Sequence, residues 1–81
     1  MEIAFTRVAW RQWGKLPKGI KTRLDEKLLI YAREPFRYAS KLTDSSIGQY
    51  RFRIGDYRIV FDISGEKIII LAVGHRKDIY K

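Results

Sequence analysis

Arg51, Arg53, Arg58 and Arg76, together with His75 and Tyr80, are the side chains of this sequence whose types and spacing could do chemistry. The arginine guanidinium is a planar fork that binds phosphate through two parallel hydrogen bonds and keeps its charge under any ordinary condition. With a pKa above about 12 it is almost never neutral, so it stabilises negative charge but moves protons poorly. Imidazole and phenol groups can move protons. The set therefore fits an anionic phosphate bound by arginines, with His75 and Tyr80 available for proton transfer.

The elements that must position these groups are strands. In "QYRFRI" the alternation puts Tyr50, Phe52 and Ile54 on one face and Gln49, Arg51 and Arg53 on the other. Gly55-Asp56 is a two-residue turn of the kind that closes tight hairpins. In the following "YRIVFDI", Tyr57, Ile59, Phe61 and Ile63 are expected to face the core, and Arg58, Val60 and Asp62 to face away. Such a turn pairs Ile54 with Tyr57 and Arg53 with Arg58. Like charges directly opposite cost a few tenths of a kcal/mol or more, so replacing Arg58 is expected to leave stability equal or slightly raised. Side chains splayed into water would relieve the crowding without any function; a bound anion would use it.

The last strand is expected over Lys67 to Val73, after a turn around Ser64-Gly65-Glu66. A two-residue turn there places Lys67, Ile69, Leu71 and Val73 on the arginine face, with Lys67 near Asp62. Val60, Ile69 and Leu71 would then form an apolar strip that a partner or the chain's own tail must cover. Gly74 ends the strand and is expected to turn the chain so that His75, Arg76 and Tyr80 emerge beside the arginines.

The N-terminal half reads as a scaffold. Met1 to Phe5 suits a short strand with Ile3 and Phe5 on one side, and Thr6 suits a helix N-cap. Ala9, Trp13 and Leu16 follow helical spacing up to Pro17, and Ile20, Leu24, Leu28 and Tyr31 mark a second helix ended by Glu34-Pro35. Trp10 and Trp13 read as packing residues rather than base-stacking platforms. From Phe36 to Gly48 the pattern is irregular and polar, as in a loop. The 81 residues suit one domain, 1–81, and a formal net charge of +8 attracts polyanions. The absence of cysteine excludes disulfides and thiolate metal sites, and one histidine cannot build a histidine-based metal site. No cofactor is expected. No stretch approaches the roughly 20 apolar residues of a membrane span, and the N-terminus lacks a signal-peptide pattern, so a cytoplasmic protein without a membrane partner is expected.

"YRFRIGDYRIVFDI" and "IIILAVGHRKDIYK", preceded by the helical hairpin and "EPFRYASKL", resemble the RelE branch of the RelE/ParE toxin superfamily, the toxic halves of bacterial and archaeal type II toxin–antitoxin pairs. The resemblance implies an α+β fold with an N-terminal strand and a two-helix hairpin packed on a mainly antiparallel sheet of about four strands. It implies a toxin that enters the ribosomal A site, cleaves messenger RNA there and inhibits translation. On the family's pattern Arg51, Arg53, Arg58, Arg76 and Tyr80 occupy catalytic places, although the best-known member has lysines where this chain has Arg51 and Arg53. Cleavage of this type uses the ribose 2′-hydroxyl to attack the adjacent phosphate, leaving a 2′,3′-cyclic phosphate and a 5′-hydroxyl. Arginines would stabilise the phosphorane, leaving the proton work to His75, Tyr80, or the RNA and ribosome. Lys67, Lys77 and Lys81 are the expected RNA contacts. Val60, Ile69 and Leu71 are the expected contacts of an acidic antitoxin, and operator DNA would be bound only through the toxin–antitoxin complex. A ParE-like gyrase-inhibiting toxin and a degenerate RNA- or ribosome-binding module without nuclease activity are the alternatives.

Overall fold

Ile3 and Phe5 turn inward from β1 (Glu2–Phe5) while Glu2 and Ala4 face out, the alternation of a half-buried strand. In this computed structural model, which describes residues 1–44 and 46–79, the chain passes directly from β1 into α1 (Arg7–Gly14). The Thr6 hydroxyl oxygen accepts the backbone N–H of Ala9 at 3.1 Å, which satisfies one of the helix's orphan donors. Ala9 is buried, and Trp13 and Leu16 pack against the same core. In α2 (Lys18–Tyr31), Leu24 and Leu28 are buried, with Ile20 and Tyr31 beside them.

The segment expected to be an irregular loop begins with two short elements, α3 (Pro35–Tyr38) and β2 (Ser40–Lys41). Proline suits the first turn of α3 because its missing N–H would have had no partner there. Tyr38 stacks on Tyr31 with ring centroids 4.2 Å apart, and Phe36 meets Tyr50 edge-on at 5.7 Å. These ring contacts hold a segment whose sequence shows no periodicity.

β3 (Tyr50–Ile54), β4 (Tyr57–Ser64) and β5 (Lys67–His75) complete a sheet ordered β1-β5-β4-β3-β2. β1 runs parallel to β5, and the other pairs are antiparallel. The sheet has five strands, against the expected number of about four, because β1 joins it beside β5 and β2 adds to β3. Its helix-bearing face supplies Phe52, Ile54, Ile59, Phe61, Ile68 and Ile70 to a core shared with Ala9, Leu24 and Leu28. Pairing with β1 stops at Ile70. Beyond it, Thr6 N–H donates to Ile70 O at 3.0 Å and Gln12 Oε1 accepts Val73 N–H at 3.0 Å, so α1 and its cap satisfy the strand edge that β1 leaves.

One irregularity decides where the C-terminal groups go. Val60 pairs with Ala72 but Phe61 pairs with Ile70, leaving Leu71 as an unpaired bulge. An extra residue reverses the alternation beyond it. Val73, expected on the arginine face, is instead 2 % exposed in the core, opposite Ile59. Gly74 lies opposite Arg58, and His75 opposite Tyr57. The same register sets Lys67 against Ser64 and Ile69 against Asp62, so Lys67 does not face Asp62 as expected.

Candidate phosphate-binding face

Arg51, Arg53 and Arg58 share the sheet face that points away from the helices, and Arg53 stands directly opposite Arg58. Arg53 is exposed and Arg51 half-buried. Arg58 is only 6 % exposed, and its Nη1 donates to Gly55 O at 2.8 Å and Tyr57 O at 2.9 Å. It therefore ties together the turn that precedes it. These contacts weigh against the expectation that replacing Arg58 leaves stability equal or slightly raised. Hydrogen bonds to a charged group are worth about 1.5–3 kcal/mol, whereas like-charge opposition costs a few tenths of a kcal/mol or more, so the hydrogen bonds win.

Gly55 adopts φ +60°, the left-handed conformation the hairpin turn requires. Arg23 Nη2 lies 3.2 Å from where a Cβ would stand on Gly55, so α2 brings another guanidinium against the same turn. Charge spacing gave no sign of this residue. The only signal was its place next to buried Leu24, on the flank of the helix.

Arg76 joins the same end of the sheet. Its backbone N–H donates to Asp56 O at 2.7 Å, and its Nε lies 3.6 Å from Asp56 Oδ1 with both side chains largely exposed. The chain after β5 curls so that Ile79 N–H donates to His75 O at 3.0 Å. Ile79 Cδ1 comes 3.8 Å from where a Cβ on Gly74 would be, which sets Ile79 over the position opposite Arg58.

His75 is not brought to the arginines. It faces the helix side, where its ring meets Tyr57 edge-on at 5.4 Å and it shares a shallow cavity with Gln12, Lys15 and Leu16. Its Nδ1 accepts Lys77 N–H at 3.2 Å, which leaves the proton of a neutral ring on Nε2. Lys77 is exposed in the turn after β5. Lys67 lies beside Glu2 at the opposite end of the sheet, about 20 Å along β4 from Arg58 at roughly 3.3 Å per residue. Tyr80 and Lys81 lie outside the described residues.

The expected apolar strip is partly closed. Val60 is 1 % exposed, whereas Ile69 and Leu71 are half-buried. Val60 is covered because Gly48, at φ +153°, approaches so closely that a Cβ there would stand 2.5 Å from Val60 Cγ1 and 3.0 Å from Leu71 Cδ1. Gln49 anchors the approach: its N–H donates to Asp62 Oδ1 at 2.8 Å, and its Oε1 accepts Ile63 N–H at 3.1 Å. Among the described residues no group of histidine and acidic side chains could hold a metal ion, and no helix is long and apolar enough to cross a membrane.

The family described as "ParE toxin of type II toxin-antitoxin system, parDE" matches residues 3–80. Toxin RelG of Mycobacterium tuberculosis is 35% identical over 82 residues, covering 98% of this chain and 94% of the relative. The toxin–antitoxin complex RelBE2 from the same organism contains a chain that superposes with a TM-score of 0.81 at 33% identity, covering 93% of this chain and 96% of that one. The isolated E. coli RelE toxin shares the fold with a TM-score of 0.77 at 24% identity, over 98% of this chain and 89% of that one. The helix-backed five-stranded sheet and these matches along nearly its whole length place the chain in the RelE/ParE family of type II toxin–antitoxin toxins.

Proposed function

We propose that this toxin is a ribosome-dependent endoribonuclease that cuts messenger RNA in the ribosomal A site. The observation that carries the reading is the cross-strand pair of Arg53 and Arg58, with Arg58 fixed by two hydrogen bonds to the turn beside it. A site that concentrates positive charge at fixed positions suits a reaction in which negative charge grows. The 2′-oxygen attacks phosphorus, the bond from phosphorus to the 5′-oxygen breaks, and the products are a 2′,3′-cyclic phosphate and a 5′-hydroxyl. Arg51, Arg53, Arg58 and Arg76 would hold the phosphate and offset the charge of the phosphorane. One preorganised donor of this sort is worth about 10²- to 10³-fold in rate. Arginine does not take the 2′-hydroxyl proton, and His75 faces the other side of the sheet. The proton transfers therefore fall to Tyr80 or to groups of the RNA and ribosome.

An acidic antitoxin would be the natural partner of a chain with net charge +8, and the related RelBE2 toxin was solved in complex with its antitoxin. On this chain such a partner would meet the arginines together with Ile69 and Leu71, the members of the apolar strip that Gly48 leaves partly open.

The matching family is described by its ParE toxin, which favours gyrase poisoning as a second reading. Incubating the protein with translating ribosomes and mapping the 5′ ends of the message separates the two. Cuts at the A-site codon are expected. Gyrase-dependent double-strand breaks in DNA would establish the second reading instead, and neither activity would leave a binding module.

A further inference from the structure

The loop between β2 and β3 forms a small cavity beside the arginines. Leu42, Thr43, Asp44, Ile47 and Arg51 line it, and its volume is about 330 Å³, at the low end of the roughly 300–1,000 Å³ of small-molecule sites. The loop is held in place. Leu42 N–H donates to Gln49 O at 3.0 Å, Gln49 is bonded to Asp62 and Ile63, and Gly48 is packed onto Val60. Asp44 Oδ1 accepts Ser46 N–H at 3.0 Å. The Ser46 hydroxyl and backbone N–H hold the Asp44 carboxyl below its usual pKa, so it is an anion at neutral pH.

The lining selects a kind of ligand. Two aliphatic side chains and a planar guanidinium suit the flat faces of a ring. A carboxylate only accepts hydrogen bonds, and its two oxygens have room for donors beyond Ser46. Among nucleobases, guanine alone presents two donors side by side, N1–H and the 2-amino group. Adenine and cytosine set an amino group beside a ring acceptor that a carboxylate repels, and uracil sets its single N–H between two carbonyls. Arg51 belongs both to this cavity and to the arginine face, and Arg53 stands about 7 Å further along the same face of β3. A base in the cavity would thus adjoin a phosphate held by Arg53 and Arg58.

We propose that the cavity is a guanine subsite, in which Asp44 accepts hydrogen bonds from N1–H and the 2-amino group of a base next to the scissile phosphate. The inference rests on the endoribonuclease reading, and its test is made independent of cleavage. Short RNAs identical except for one base, guanosine, inosine or adenosine, and carrying a 2′-deoxy sugar at the cleavage position, are titrated into the protein by fluorescence anisotropy. Guanosine should bind about tenfold more tightly than adenosine, as one well-made bidentate contact discriminates, with inosine between them because it lacks the 2-amino group. Asp44→Asn keeps an oxygen for Ser46 N–H but replaces the anion with an amide. It should abolish the guanosine preference, because the amide no longer offers two acceptors to the guanine edge and no longer repels the ring acceptor of adenine, so adenosine should bind at least as tightly as it does to the wild type. Equal wild-type affinities, no measurable binding, or a preference that survives in Asp44→Asn would each overturn the subsite. A protein that prefers guanosine but cuts no message would retain the subsite and lose the endoribonuclease reading; one that cuts without base preference would do the reverse.

Discussion

Phe52 and Arg53 are adjacent in β3, yet Phe52 is fully buried against Phe61 and Tyr31 while Arg53 stands in solvent opposite Arg58. The difference runs through the whole sheet. One face is closed by α1 and α2 over aliphatic and aromatic side chains. The other gathers Arg51, Arg53 and Arg58, and among the described residues the loop at Gly48 and Ile79 lie over parts of it. Burying one large apolar side chain is worth about 1.5–3 kcal/mol, whereas opposing like charges in a strand pair cost a few tenths of a kcal/mol or more. The helix face can therefore stabilise the fold while the other face carries a concentration of charge that no packing argument would select.

Two substitutions at neighbouring positions should separate these roles. Phe52→Ala removes a ring 4.3 Å from that of Phe61 and is expected to cost about 3–5 kcal/mol in urea unfolding, the usual range for a buried Phe→Ala change. Arg53→Ala should leave stability unchanged or raised by a few tenths of a kcal/mol. Its cleavage of ribosome-bound message should nevertheless fall about 10²-fold or more. The contrast between the faces breaks if Arg53→Ala proves as destabilising as Phe52→Ala, or if it cleaves at the wild-type rate.

The hairpin of β3 and β4 was legible because its alternation has a phase and Gly55-Asp56 fixes the register. The pairing of Arg53 with Arg58 followed from those facts alone. α1 and α2 were legible from their apolar spacing and from Thr6. The bulge at Leu71 was not, because "IIILAV" is apolar at every position and so carries no phase that a slipped residue could disturb. The faces of Val73 and His75 were lost with it. α3 and β2 were missed because contacts outside their own segment hold them: Tyr38 and Phe36 of α3 meet the rings of Tyr31 and Tyr50, and β2 rests on its pairing with β3. The structural role of Arg58 depends on where its Nη1 points, and strand alternation gives only the face.

That role makes Arg58 the sharper probe of the arginine face. Arg58→Ala deprives Gly55 O and Tyr57 O of a charged donor and should destabilise the protein by about 1.5–3 kcal/mol. Arg53→Ala and Arg58→Ala, on directly opposed residues, should thus move the urea midpoint in different directions or by clearly different amounts. Matching midpoints would mean that the turn contacts of Arg58 contribute nothing beyond what water would supply. The face would then be purely a charge array.

The smallest effect is expected at the residue whose type most invited a catalytic role. His75 lies across the sheet from the arginines, its ring against Tyr57 and its Nδ1 accepting Lys77 N–H. His75→Gln retains a side-chain oxygen able to accept that N–H and removes the imidazole. The variant should cleave ribosome-bound message at close to the wild-type rate. General acid–base participation is worth roughly 10²- to 10⁴-fold, so the two outcomes are widely separated. A loss of that size, in a variant with an unchanged urea midpoint, would mean that a group on the helix side reaches the phosphate around the end of β5. The division between the two faces would then fail at the strand end. A normal rate would leave the arginines to offset the charge on the phosphate, with the protons moved by Tyr80 or by groups of the RNA and ribosome.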